Sequence, residues 1–105
     1  METAVIDNTE AQQFEIAVDG APAGVAQYRR KPGIIALIQT EIDPSFGGQG
    51  LASKLISHVL DSAAEDGLKV LPFCPFANKY IAEHEQYLPL VPADLRGQFG
   101  LPADD

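Results

Sequence analysis

The strongest pattern in the chain is an apolar stripe with helical spacing that follows a cluster of glycines. Pairs of apolar residues recur every four positions, at Leu51–Ala52, Leu55–Ile56, Val59–Leu60 and Ala63–Ala64. Polar residues fill the positions between them. Gly67 follows the stripe, where a glycine in the left-handed conformation commonly ends a helix. The pattern predicts one long amphipathic helix.

Alternating and branched apolar residues upstream predict three strands. Phe14, Ile16 and Val18 alternate with Glu15 and Ala17, which is typical of a half-buried strand. Residues 23–30 alternate more loosely, and residues 33–42 (GIIALIQTEI) have the composition of a buried strand. Turns at residues 19–22 and 31–33 join the three strands into an antiparallel meander. We expect the polar residues 1–12 to be a frayed end.

The segment after the helix predicts a β-α-β crossover. Residues 68–74 (LKVLPFC) form a short fourth strand, which can lie parallel to the third through a right-handed connection. Pro72 places this strand at the edge of the sheet or makes it diverge from its neighbour. Residues 76–84 then predict a second, shorter helix. The fold class is α/β: a meander, a crossover and a short C-terminal helix.

The length of the chain and the lack of an internal repeat or interdomain linker indicate one domain. A chain of 105 residues can bury a sufficient core without disulfides. We place this core at about residues 13–91. Residues 92–105, which hold Leu95 and Phe99 among Pro, Gly and Asp, form a partly docked tail.

Composition and charge exclude several classes of partner. The chain has 7 basic and 15 acidic side chains and a net charge of −8, which disfavours nucleic acids and anionic membranes but suits a cationic substrate. The single Cys74 excludes an internal disulfide, and with two histidines it leaves no cluster for a metal. No signal peptide or membrane-spanning run is apparent, so we expect a cytoplasmic protein.

The glycine cluster lies where a strand leads into a helix N-terminus, a place suited to binding phosphate. Its spacing differs from that of dinucleotide-binding and Walker loops. It resembles the pyrophosphate loop Q/R-x-x-G-x-G/A of the GNAT superfamily of acyl-CoA N-acyltransferases. The six positions are Gly47, Gly48, Gln49, Gly50, Leu51 and Ala52. Gly47 departs from the usual Gln or Arg, which removes one side-chain contact to phosphate.

The resemblance extends over roughly residues 14–91. The segments TEI, DPSFGGQGLASKL, GLKVLPFCPF and KYIAEHEQYLPLV follow one another as in small stand-alone GNAT-like acetyltransferases. Cys74-Pro75-Phe76, Tyr80-Ile81 and His84-x-x-Tyr87 match that family. Glu85 stands where proline is common.

The resemblance implies acetyl-CoA as co-substrate and an amine, small or protein-borne, as acceptor. Residues 47–52 would bind the phosphates, and the pantetheine arm would lie between the third and fourth strands, beside Ile42. Asn78 is a candidate to bind an amide of the cofactor. The thioester would lie near Glu41, Cys74 and Tyr80.

Each candidate catalytic residue also has an ordinary structural interpretation. Glu41 is a candidate general base if it is buried, and otherwise a solvated residue at a strand end. Cys74 is a candidate nucleophile, although a small buried side chain is the favoured interpretation because no cation adjoins it. Tyr80 either donates a proton to the leaving thiolate or packs. His58 and His84 are expected at the surface and at a cap or loop.

The leading hypothesis is an acetyl-CoA-dependent N-acetyltransferase that acts through a ternary complex. One alternative is a non-catalytic acyl-CoA-binding module with the same loop. Another is an interaction domain without a ligand. The sequence specifies neither the acceptor nor the oligomeric state.

Overall fold

The computed structural model describes residues 2–47 and 50–102, in which five strands form one mixed sheet. Along the sheet, the strands follow chain order: β1 (Thr3–Asn8), β2 (Gln13–Val18), β3 (Ala21–Lys31), β4 (Ile34–Ile42) and β5 (Lys69–Pro72). The first four strands are antiparallel, and β5 is parallel to β4. This confirms the predicted α/β class, with its meander and crossover.

Strand β1 corrects the expectation that residues 1–12 are frayed. It pairs with the whole of β2, from Thr3 opposite Val18 to Asn8 opposite Gln13. The turn between the strands is closed by the Ala11 amide, which donates to Asn8 Oδ1 at 3.2 Å. The meander therefore has four strands rather than three.

Helix α1 (Leu51–Glu65) packs its apolar stripe on one face of the sheet. Its core positions Leu55, Ile56, Val59 and Leu60 are completely buried, whereas Ala64, which belongs to the predicted stripe, is exposed. Gly67 has φ +69° just after the helix, as the C-terminal signal predicts. The sheet contributes side chains to the same core from each of the strands β2 to β5, among them Phe14, Ile16, Tyr28, Ile35, Leu37 and Val70.

The C-terminal part of the chain adds helix α2 (Pro75–Glu83) and two 3-10 segments, Glu85–Leu90 and Ala93–Phe99. Helix α2 packs beside α1 and adds Ala77 and Ile81 to the core. The tail is docked more fully than expected: the Arg96 guanidinium is buried and donates through Nε to the Val91 carbonyl at 3.0 Å. Leu101 is also buried in the core.

A bulge interrupts strand β4 at Ile38. Gln39 lies opposite Gln27 and Leu37 lies opposite Tyr28, so Ile38 is an extra residue in the ladder. Pairing with β5 stops at the same place, at Leu37 opposite Pro72. Among the described residues, positions 38–42 therefore have a strand neighbour on the β3 side alone.

Within the described ranges, neither helix has the length and apolar character needed to cross a membrane.

Candidate active site

The open edge of β4 is the first component of the site. A strand edge without a neighbour presents unpaired backbone N–H and C=O groups, which can bind an extended molecule that carries amides. One backbone bond still ties the two strands where they part, because the Cys74 amide donates to the Leu37 carbonyl at 2.8 Å. The gap predicted from Pro72 is therefore present, and it begins at Leu37 and Pro72.

The connection from β4 to α1 is built on a short 3-10 turn, Pro44–Phe46. Asp43 caps this turn by accepting hydrogen bonds from the Ser45 hydroxyl at 2.7 Å and the Ser45 amide at 2.9 Å, which together lower the pKa of the Asp43 carboxyl. The Asp43 amide donates to the Ala23 carbonyl of β3 at 2.8 Å, which ties the start of the loop to the sheet. Of the predicted loop residues, Gly48 and Gln49 lie outside the described residues.

The N-terminus of α1 is the second component of the site. Gly50 is its N-cap residue with φ +71° and has no side chain to cap the helix. The first turn bond after it runs from the Lys54 amide to the Gly50 carbonyl at 3.2 Å, so the amides of Leu51, Ala52 and Ser53 have no partner within the helix. The Leu51 side chain is buried in the core, so at this position only the backbone can contact a ligand. Such a helix start can bind a phosphate.

Cys74 lies beside the open edge, at the N-cap of α2. Its side chain is only 2% exposed, and its sulfur lies 3.1 Å from the Thr40 hydroxyl oxygen. Reactive cysteines usually lie in exposed, electropositive surroundings, and this one is packed among apolar side chains. The structure thus places Cys74 at the site as a small buried side chain, and its part in catalysis stays a prediction.

Glu41 lies on the other side of β4 from this contact. Adjacent residues in a strand face opposite sides of the sheet, and Thr40 contacts Cys74. Glu41 lies opposite Val25 in the ladder. Its carboxylate is exposed and accepts a hydrogen bond from the side-chain amide of Gln39. The carboxylate therefore lacks the burial that the base role requires, and its exposure matches the other interpretation, a solvated residue at a strand end. The base role itself remains a prediction.

Tyr80 and Asn78 both lie on α2, and their side chains contact different neighbours. The Tyr80 ring stacks on the His84 ring, with 3.9 Å between the ring centroids, and approaches the rings of Phe76 and Tyr87. Its hydroxyl makes no hydrogen bond to the described residues. The Asn78 amide donates to the Phe99 carbonyl at 2.7 Å and so holds the C-terminal segment. A contact of either residue with a cofactor stays a prediction.

A family model described as GCN5-related N-acetyl-transferase matches residues 13–90, which is most of the chain. The chain belongs to this family of N-acetyltransferases. A comparison with curated proteins gives no match. The family match specifies neither a donor nor an acceptor.

Solved structures described as N-acetyltransferases share the fold. A GCN5-like protein from Staphylococcus aureus is 23% identical over 85% of this chain and 87% of its own, with a TM-score of 0.65. The ribosomal-protein-S18-alanine N-acetyltransferase from Escherichia coli is 15% identical over 66% of this chain, with a TM-score of 0.55. A ribosomal-protein-alanine N-acetyltransferase from Brucella melitensis is 21% identical over 70%, with a TM-score of 0.50. The chain spans only 63% and 57% of these two enzymes.

Two features of the site in this family member are not evident from sequence. Thr40 contacts Cys74 across the gap, although the sequence pattern marks it only as part of the TEI segment. The pairing with β5 ends at the bulge at Ile38, but the part of the strand that leads to it, GIIALI, is apolar on both faces and carries no signal for it. For Thr40, the available signal is its place next to Glu41 at the predicted strand end.

Proposed function

We propose that the chain transfers an acetyl group from acetyl-CoA to an amine by direct attack of the amine on the thioester. One observation carries this proposal: β4 has an open edge on its β5 side and leads along the chain to the N-terminus of α1, whose first amides have no partner within the helix. An edge for an amide-bearing arm is thus connected directly to a place for phosphates.

The residues present fit this donor. Residues 47–52 would hold the phosphates on backbone N–H groups. The Gln or Arg side chain that is usual at the position of Gly47 is therefore not required. Residues 38–42 would pair with the amides of the pantetheine arm as with an added strand, and Ile42 would border that arm. Asn78 would join this contact once its bond to Phe99 is exchanged. The bound donor supplies a thioester, an activated acyl group.

The chemistry requires an amine that has lost a proton. An alkylammonium has a pKa near 10.4, so at neutral pH about one molecule in a few thousand is a free amine. Glu41 would accept the proton that the ammonium loses. The C–N bond then forms as the C–S bond breaks, and Tyr80 would give its proton to the leaving thiolate. The acylated nitrogen would lose its second proton, which restores the Tyr80 hydroxyl. Cys74 would align the thioester by packing rather than carry the acetyl group.

The acceptor is an amine of a small molecule or a protein. Two structural neighbours act, by name, on an alanine of a ribosomal protein, which supports a protein α-amine as one candidate. A cytoplasmic location belongs to the same proposal.

The first test is acetyl-CoA binding by calorimetry to Gly50→Val and to Gly67→Val. Both glycines have φ near +70° and open space where a Cβ atom would lie, so both substitutions impose a similar backbone strain at the two ends of α1. We expect Gly50→Val to weaken binding at least several-fold relative to Gly67→Val. Equal affinities in folded variants would show that the phosphates bind elsewhere.

The second test is acetyl transfer to a panel of alkylamines, amino acids and peptide N-termini. We expect turnover with at least one class of amine. Tight binding of acetyl-CoA without transfer to any amine would instead support the non-catalytic acyl-CoA-binding module. The absence of any heat at millimolar acetyl-CoA would contradict both.

A further inference from the structure

The sheet face opposite α1 contains a cavity that reaches the end of β4. Its volume is about 820 Å³, within the usual range for small-molecule sites. The cavity has room because small residues of the first three strands line it, among them Ala4, Ala17, Pro22 and Gly24. A Cβ at Gly24 would meet the Glu41 carbonyl oxygen at 2.7 Å, so glycine keeps β3 close to this end of β4.

One row of side chains crosses this cavity. Ile6 lies opposite Glu15, Glu15 opposite Val25, and Val25 opposite Glu41. Residues directly opposite each other in paired strands share a face of the sheet. Two carboxylates therefore flank the apolar Val25, on backbones about 10 Å apart because neighbouring strands are about 4.8 Å apart. Ile6 extends the apolar surface and is 59% exposed.

The cavity is negatively charged. The Glu15 carboxylate accepts hydrogen bonds from the side-chain amide of Gln13 at 2.6 Å and from that of Asn8 at 3.0 Å. These bonds lower the pKa of the Glu15 carboxyl and fix its position. Asp43 adds a third carboxylate at the rim. The described lining contains no Lys, Arg or His. An apolar centre between separated carboxylates complements an aliphatic chain with a cationic group at each end.

We propose that this cavity is the acceptor site and that the acceptor is an aliphatic diamine or polyamine. The inference rests on the proposed function and names its substrate class. Glu15 binds one ammonium group, and the alkyl chain lies over Val25. The other amino group lies at Glu41, at the end of β4.

The reaction balances with this arrangement. The ammonium group at Glu41 gives up a proton to the carboxylate, and the free amine attacks the thioester carbonyl. The C–N bond forms and the C–S bond breaks. The nitrogen loses its second proton and the leaving thiolate takes one up. The products are a mono-acetylated diamine, free CoA and one proton released to solvent.

The test compares cadaverine with pentylamine, which has the same alkyl length and only one ammonium group. We expect the wild type to use cadaverine with a kcat/KM at least tenfold higher, since a charge-assisted contact contributes about 1.5 kcal/mol or more. Glu15→Gln should bring the two substrates to similar values through a raised KM for cadaverine. Glu65→Gln removes the same charge from the exposed end of α1 and should keep the preference.

Calorimetry measures the binding of cadaverine to the cavity without any catalysis. We expect binding to the wild type and to Glu65→Gln, and several-fold weaker binding to Glu15→Gln, with melting temperatures confirming that all three are folded. Equal use of both amines by the wild type, or equal binding of cadaverine by all three proteins, would overturn the inference and leave the acetyltransferase proposal intact. A higher kcat/KM for a lysine peptide than for cadaverine, with no change of either value in Glu15→Gln, would also overturn the inference. Failure to acetylate any amine would contradict the proposed function, while the binding comparison would still decide the inference.

Discussion

The Thr40–Cys74 contact shows how single residues close the site where β4 and β5 part. The sulfur and the hydroxyl lie 3.1 Å apart, and the cysteine is almost fully buried. Direct attack by an amine needs an aligned thioester and a proton acceptor, so a covalent acetyl-cysteine is unnecessary. The contact therefore fits a role in alignment.

We expect Cys74→Ala to retain a measurable fraction of the acetylation rate, because only packing and alignment are lost. Thr40→Val, which keeps the shape and removes the hydroxyl, serves as a matched variant. Acetyl-CoA mixed with the wild type should give no lasting mass increase on the Cys74 peptide. A stoichiometric adduct that discharges to amine at the turnover rate, with Cys74→Ala inactive, would identify Cys74 as the nucleophile.

Tyr28 gives a prediction about pH and stability. Burial and the 2.6 Å hydrogen bond from its hydroxyl to Asp7 raise its pKa from 10.0 to about 12. The unfolded chain therefore loses this proton first as the pH rises, so the stabilisation is complete below pH 10 and is lost towards pH 12. Denaturant unfolding should show Tyr28→Phe less stable than the wild type by about 1–2 kcal/mol at neutral pH. That difference should shrink between pH 10 and 12, and a constant difference would contradict it.

At the scale of elements, the sequence predicts those whose patterns are local. The stripe of α1, the turn at residues 31–33 and the edge position of β5 all follow from spacing, glycine and proline. Strand β1 could not be predicted in this way, because among its apolar residues Val5 packs against the core while Ile6 is exposed. Its structure depends on pairing with β2, which is tertiary information.

The candidate site was predictable in position but not in orientation. The strand-to-helix loop and the gap beside Pro72 follow from the sequence. The bulge at Ile38 does not, and it changes which side of β4 each following residue faces. This is why Glu41 and Cys74, expected around one point, lie on opposite sides of the strand.

The C-terminal segment gives a prediction at this scale. We expect a chain truncated after Pro92 to keep its sheet, because all five strands and both helices precede that residue. It should melt at a lower temperature than the full chain, because it loses Leu101 from the core and the Asn78–Phe99 bond. Circular dichroism of both chains measures this. A disordered truncated chain would show that the tail is part of the minimal fold.

At the scale of the whole molecule, the net charge of −8 acts differently on the two proposed substrates. A cationic amine is attracted, whereas the anionic donor is repelled outside its local site. Raising the ionic strength from about 10 mM to 150 mM shortens the Debye length from about 30 Å to 8 Å. We therefore expect kcat/KM for the amine to fall with salt and that for acetyl-CoA to rise or stay level. A parallel fall for both would contradict this account of the charge.

We propose that the open edge of β4 and the start of α1 bind acetyl-CoA together. The most direct measurement is a titration of the isotope-labelled chain with acetyl-CoA, followed by backbone amide NMR shifts. We predict the largest changes at residues 38–42 and 50–53, with β1 and β2 little affected. Changes concentrated on β1 and β2, or none at saturating acetyl-CoA, would contradict the claim.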